Sequence, residues 1–200
     1  MAIYLAEDEV GVDANTIGYP HLLLCMGVTV VMDDGSLIGA HVSSNDTEQL
    51  VMGQLLFDIT AHRGQMTQLY CCADVKEHCG VHHCMDINGK ANALRFQGPG
   101  YLFDFGYINP RDGAYVEVTS TGADSLCTLR FKRNEKVDYD RGTGTMVTRA
   151  TKVMGRDNIS VRPSNTVAVG GRAKTPKFGI QRGNHSIKTV PATSLKKFDL

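Results

Sequence analysis

Cys25 and His41 are the residues whose types and spacing could do chemistry. A nearby imidazole can take a thiol's proton to give a thiolate, the reactive nucleophile, and can later return a proton to a leaving group. The pair lies on two apolar stretches, Leu22 to Met32 and Leu37 to Ser43, joined through Asp33-Asp34-Gly35. Both stretches read as β-strands. In papain-like enzymes the cysteine opens a helix and its histidine comes much later in the chain, so that arrangement does not fit.

The strands must place the pair. Side chains alternate across a strand, so Met26, Val28, Val30 and Met32 share one face, matched by Ile38, Ala40 and Val42. The other face carries Cys25, Gly27, Thr29 and Val31, then Leu37, Gly39, His41 and Ser43. For the two apolar sets to coincide, the connection must hold an odd number of residues, because a one-residue slip flips a strand. A three-residue loop fits, with Asp33 and Asp34 in a type I turn and Gly35 left-handed. His41 is then opposite Gly27 and Cys25 opposite Ser43. Cys25 and His41 become diagonal neighbours, roughly 7 to 8 Å apart at the backbone, with Gly27 leaving the imidazole room.

A strand cysteine followed about sixteen residues later by a Gly-Ala-His strand resembles the CheD chemoreceptor glutamine deamidases and the catalytic domain of the cytotoxic necrotizing factor toxins. The residues carrying the resemblance are Cys25-Met26-Gly27-Val28 and Gly39-Ala40-His41, with a helix following, over residues 15 to 75. It implies hydrolysis of a protein glutamine side chain to glutamate, with Cys25 as nucleophile and His41 as base. Backbone N–H groups near Met26 would hold the oxyanion, and transfer of the acyl group to an amine is a close variant. CheD-like enzymes have a threonine six residues before the cysteine, where this chain has Tyr19. Thr16, or a backbone carbonyl near Tyr19 or Pro20, is the candidate to orient His41 instead. The resemblance implies a protein substrate: a chemoreceptor if the chain is CheD-like, or a host GTPase or translation factor if it is a bacterial effector.

The competing reading is a non-enzymatic partner-binding or secretion-associated module. Buried cysteines usually act as small hydrophobes and strand histidines as hydrogen-bonded core residues.

A second cluster, His78-Cys79-Gly80-Val81-His82-His83-Cys84, has Cys-x2-His spacing, and Cys71 or Cys72 could add a ligand. Two clean ligand pairs are absent, so no metal and no cofactor is expected; Cys72, Cys79, His82 and Cys84 are the weak candidates. His78, His82 or His83 could alternatively line a substrate cleft.

The chain has 200 residues, 42% of them hydrophobic, enough for one large domain. It shows no signal-peptide pattern and no apolar run of membrane-spanning length. Cytoplasmic residence, or export by a bacterial effector machine without a signal peptide, is expected. The six cysteines lack the dense framework of a small secreted domain and are read as reduced.

The formal net charge of zero hides an asymmetry. Residues 1–151 hold 11 Lys and Arg against 19 Asp and Glu, net −8; residues 152–200 hold 10 against 2, net +8. We therefore divide the chain into a catalytic-like body, 1–151, and a basic C-terminal extension, 152–200. The extension is expected to strap the acidic body or to dock a partner. Nucleic acid ranks last, because only Phe178 and Phe198 could stack on bases.

Among the other elements, Ala2 to Leu5 reads as a short strand and the acidic residues after it as a loop. Asn45 and Glu48 signal the start of an apolar helix that Gly64 ends. Strands are expected over Thr67 to Val75, Asn92 to Gln97, Tyr101 to Phe105, Ala114 to Thr121 and Leu126 to Lys132, with Asn88-Gly89 as a tight turn. The sum is an α+β fold: a β-rich, sandwich-like mixed sheet with one main helix packed on it and an extended basic C-terminal segment.

Overall fold

The computed structural model describes residues 3–5, 7, 9–44, 53, 56–57, 60–61, 63–82, 86–108, 113–133, 146–148, 160–161, 172–174 and 188–200. The protein is mostly β. Its strands are β1 (Ile3–Tyr4), β2 (Glu9–Asp13), β3 (Thr16–Leu22), β4 (Met26–Met32), β5 (Leu37–Val42), β6 (Met66–Ala73), β7 (Pro99–Asp104), β8 (Ala114–Thr119), β9 (Thr128–Arg133), β10 (Met146–Thr148), β11 (Ser160–Val161), β12 (Arg172–Lys174), β13 (Lys188–Thr189) and β14 (Lys196–Asp199). Two short helices, α1 (Val75–His82) and α2 (Ile87–Leu94), follow β6.

Two mixed sheets stack face to face. One runs β1-β3-β8-β9-β13 and the other β11-β2-β5-β4-β6-β7-β14, while β10 and β12 form a separate antiparallel pair. Between the sheets lies a core of Ile17, Tyr19, Val116, Val118, Leu129 and Phe131 from the first and Val31, Leu37, Tyr70, Cys72 and Phe103 from the second. The far face of the seven-stranded sheet carries a second core, in which Val28, Val30, Ile38, Ala40, Leu69 and Cys71 meet Ile87, Ala91 and Leu94 of α2 and Leu56. The seven-stranded sheet is thus buried on both sides.

The β4–β5 hairpin has the expected register. Gly27 pairs with His41 and Val31 with Leu37. The Gly35 N–H donates to the Met32 carbonyl at 2.9 Å, and Gly35 takes a φ of 80°. Three loop residues therefore keep the two apolar sets on one face.

Elsewhere the structure departs from the expectation. The acidic residues after β1 are not simply a loop: Glu9 to Asp13 form β2, with Glu9 and Asp13 buried. The Asp13 carboxylate accepts from the Asn15 and Thr16 N–H groups at 2.8 and 3.0 Å, turning the chain out of one sheet and into the other. Pro20 lies within β3, at a break in register between Tyr19 and Leu22 where a missing N–H is tolerated.

Asn88-Gly89 is not a hairpin turn, and Asn92 to Gln97 is not a strand. Asp86 caps α2 by accepting from the Asn88 and Gly89 N–H groups, which draws that pair into the first helical turn. Ile87, Ala91 and Leu94 then recur at helical spacing on the buried side, and left-handed Arg95 ends the helix. Asp74 starts α1 in the same way, accepting from Glu77 N–H at 3.2 Å.

The Asn45–Glu48 cap of the expected main helix lies outside the described residues. Gly53, Leu56, Phe57, Thr60 and Ala61 are helical, and Gly64 has a φ of 128°. The boundary at residue 151 and most of the basic extension also lie outside them. At the far end, β13 pairs with β9 in one sheet and β14 with β7 in the other.

Candidate active site

His41 is held from three sides. On its own sheet it stands between Glu9 of β2 and Gly27 of β4. Its side chain is 1% exposed, within the layer between the sheets. The Leu5 carbonyl, just after β1, lies 2.8 Å from Nδ1. A carbonyl only accepts, so Nδ1 carries the proton, and in the neutral ring Nε2 presents a lone pair. Leu5 is itself tied by its N–H to the Gly18 carbonyl of β3 at 2.9 Å. The tautomer of His41 is therefore set by main-chain pairing.

The space over Gly27 belongs to Tyr19 rather than to the imidazole, which corrects the expected clearance. A methyl group on Gly27 would sit 2.7 Å from the Tyr19 ring, and one on Gly39 would sit 2.5 Å from its hydroxyl oxygen. Tyr19 meets His41 edge to face, with ring centroids 6.1 Å apart at 81°. Its hydroxyl donates to the Val28 carbonyl at 2.7 Å and lies 2.6 Å from Thr29 Oγ1. Burial pushes the phenol well above its ordinary pKa, so it stays protonated. Tyr19 is a wall and a brace.

Thr16 does not orient His41; its hydroxyl bonds Thr119 across the β3–β8 pair at 3.0 Å. The orienting carbonyl belongs to Leu5 rather than to a residue near Tyr19 or Pro20. Ala2 to Leu5 reads as a strand from sequence, but its parallel pairing with β3, which aims Leu5 at His41, is long-range and leaves no local signature.

Cys25 immediately precedes β4 and is 6% exposed. Its thiol lies 3.6 Å from Glu7 Oε1, a sulfur-to-carboxylate contact in which the S–H donates. Glu7 is exposed and Leu24 is 37% exposed, so Cys25 sits just inside a solvent-facing rim. Burial raises the thiols deeper in the core, Cys71 to about 12, Cys127 to about 11 and Cys72 well above its ordinary value.

His78, on α1, comes to the same place. Its ring is fully buried and its Nδ1–H donates to the Leu24 carbonyl at 2.8 Å, one peptide before Cys25. Burial lowers its pKa to about 4, so the imidazole is neutral near pH 7. Of the histidines expected to line a cleft, His78 instead backs the cysteine. His83 and the side chain of His82 lie outside the described residues.

Among the described residues of 71–84 no metal cage is formed. Cys71 and Cys72 face opposite sides of β6, one toward the helices and one between the sheets. Cys79 is half-buried on α1, and Cys84 lies outside the described residues. Among the described residues no group of three or more His, Cys, Asp or Glu is placed to hold a metal ion. None of the described helices is long and apolar enough to cross a membrane.

No protein-family model matches this chain, and no curated protein or solved structure matches it significantly.

Proposed function

We propose that the protein is a cysteine-dependent amidohydrolase that deamidates a glutamine side chain of a target protein, with Cys25 as nucleophile and His41 as base. The observation that carries this reading is the Leu5 carbonyl on His41 Nδ1, which leaves Nε2 in the tautomer a general base needs, while Cys25 belongs to the same inter-sheet core as Tyr19, whose ring meets His41. The thiol proton passes to His41 Nε2 and the thiolate adds to the carboxamide carbon. The imidazolium then protonates departing ammonia, leaving a thioester. Water, deprotonated by His41, adds to that thioester to give glutamate and the free thiol. An amine in place of water gives transglutamination. The protein substrate is a chemoreceptor or, for a bacterial effector, a host regulatory protein, and the positive charge of 152–200 would favour an acidic partner.

The test has two stages. Iodoacetamide labelling of Cys25 should be fast, pH-dependent and lost in His41→Ala. Mass spectrometry of cells expressing wild type or Cys25→Ser should then reveal a glutamine converted to glutamate, or cross-linked, only with wild type. The contact of Cys25 with Glu7, in a thiol that is 6% exposed, favours a second reading, a binding module with a structural cysteine. Labelling of Cys25 no faster than that of an unfolded control thiol would establish that second reading.

A further inference from the structure

A trans peptide is planar, so the carbonyl of one residue and the N–H of the next point in opposite directions. The Leu24–Cys25 peptide is trans, and its carbonyl is gripped by His78 Nδ1–H at 2.8 Å. The Cys25 N–H must therefore point away from α1. The grip is firm for two reasons. The ring is fully buried, and the Asp74 cap fixes the helical turn that presents it. Neutral imidazole and imidazolium both donate from Nδ1 when the acceptor is a carbonyl, so the peptide keeps its orientation whatever the charge on the ring.

Resting on the proposed Cys25–His41 chemistry, we infer that His78 is a positioning residue for that reaction: by holding the Leu24 carbonyl it aims the Cys25 N–H as an oxyanion donor for an acyl substrate attacked by Cys25. The donor belongs to the nucleophile's own residue, so it lies beside the carbonyl oxygen at the moment the C–S bond forms. Charge that develops on that oxygen meets a dipole already oriented. His78 touches neither the substrate nor the thiol proton. His41 handles the proton, His78 the geometry.

Two reagents separate these roles. Iodoacetamide alkylates Cys25 by displacement at saturated carbon, with no oxyanion, and so reads the thiolate and His41. With p-nitrophenyl acetate the thiolate adds to the carbonyl carbon, and collapse of the tetrahedral intermediate expels p-nitrophenolate to leave acetyl-Cys25. That reaction reads the oxyanion donor as well. In His78→Ala, acylation of Cys25, followed by peptide mass spectrometry, should fall by about tenfold or more, while alkylation stays within about threefold. His78→Asn, whose side-chain amide can donate from nearly the Nδ1 position, should recover most of the acylation.

Equal falls in both reactions, or no fall in acylation, would overturn the inference while leaving the Cys25–His41 reading in place. Alkylation indifferent to His41→Ala would remove that reading and this one with it. Should His78→Ala fail to fold, nitrogen-detected NMR of the wild-type protein decides: a protonated, slowly exchanging His78 Nδ1 supports the grip on Leu24, and an unprotonated Nδ1 refutes it.

Discussion

The two faces of the β4–β5 hairpin are both buried, yet they are built on opposite plans. One carries Met26, Val28, Val30, Met32, Ile38, Ala40 and Val42, hydrocarbon against hydrocarbon beneath Leu56 and α2. The other carries Gly27, Thr29, Gly39 and His41, and a single tyrosine from the facing sheet fits over both glycines. The first face gains its stability from area removed from water, which many shapes can supply. On the second face, hydrogen bonds with fixed partners set the shape, and it is there that an imidazole is held in one tautomer. The hairpin separates strength from precision.

The contrast can be broken in graded ways. The largest effect belongs to the precise face: Cys25→Ser should abolish the proposed deamidation while the melting temperature stays close to wild type, read by mass spectrometry beside a thermal melt. Ile38→Ala should do the reverse, costing about 2 to 5 kcal/mol in urea unfolding while Cys25 alkylation of the folded protein is unchanged. Gly39→Ala adds only a methyl group but drives it toward the Tyr19 hydroxyl and the Ile17 side chain, so about 1 to 3 kcal/mol should be lost. In Tyr19→Phe, the Val28 carbonyl and Thr29 hydroxyl lose a buried partner, at about 1 to 2 kcal/mol. The oxygen it deletes is the one Gly39→Ala strikes, so the double variant should be more stable than the two losses added together.

A further effect is one of pH. His78 has a folded pKa of about 4, below its ordinary 6.5, so between these values the unfolded chain takes up a proton that the folded one refuses. Its contribution to stability is complete above about pH 6.5 and is lost as pH falls toward 4. His78→Asn should flatten that part of the stability curve.

How much of this could be read from the sequence depended on the range of the interaction. The hairpin was legible because alternation and a three-residue glycine turn are local, and together they fix which residue opposes which. The strand at β6 was legible for the same reason, since Leu69, Cys71 and Ala73 alternate with Tyr70 and Cys72 between its two faces. Asn88-Gly89 misled because Asp86, two residues earlier, competes for the same N–H groups as a helix cap. β2 was hidden by Glu9 and Asp13, whose burial depends on partners brought from elsewhere in the fold. In the candidate site, the placing of His41 opposite Gly27 could be read from the strands, whereas Cys25, expected on the first strand, falls just before β4. The Leu5 carbonyl and the His78 ring could not, because a parallel strand pair and a helix docked on a loop leave no periodic mark.

The last thirteen residues have a consequence for how the chain is made. β13 extends one sheet beside β9, and β14 extends the other beside β7, with Leu200 and Gly98 exchanging N–H to carbonyl bonds in both directions. A ribosome delivers these strands after everything they pair with. Until they emerge, β7 and β9 each present an open edge, a template for another chain. A nascent chain stalled after residue 151 would carry both edges at once, together with the net charge of −8 that residues 152–200 offset. Like charge on two such chains opposes their pairing through the open edges.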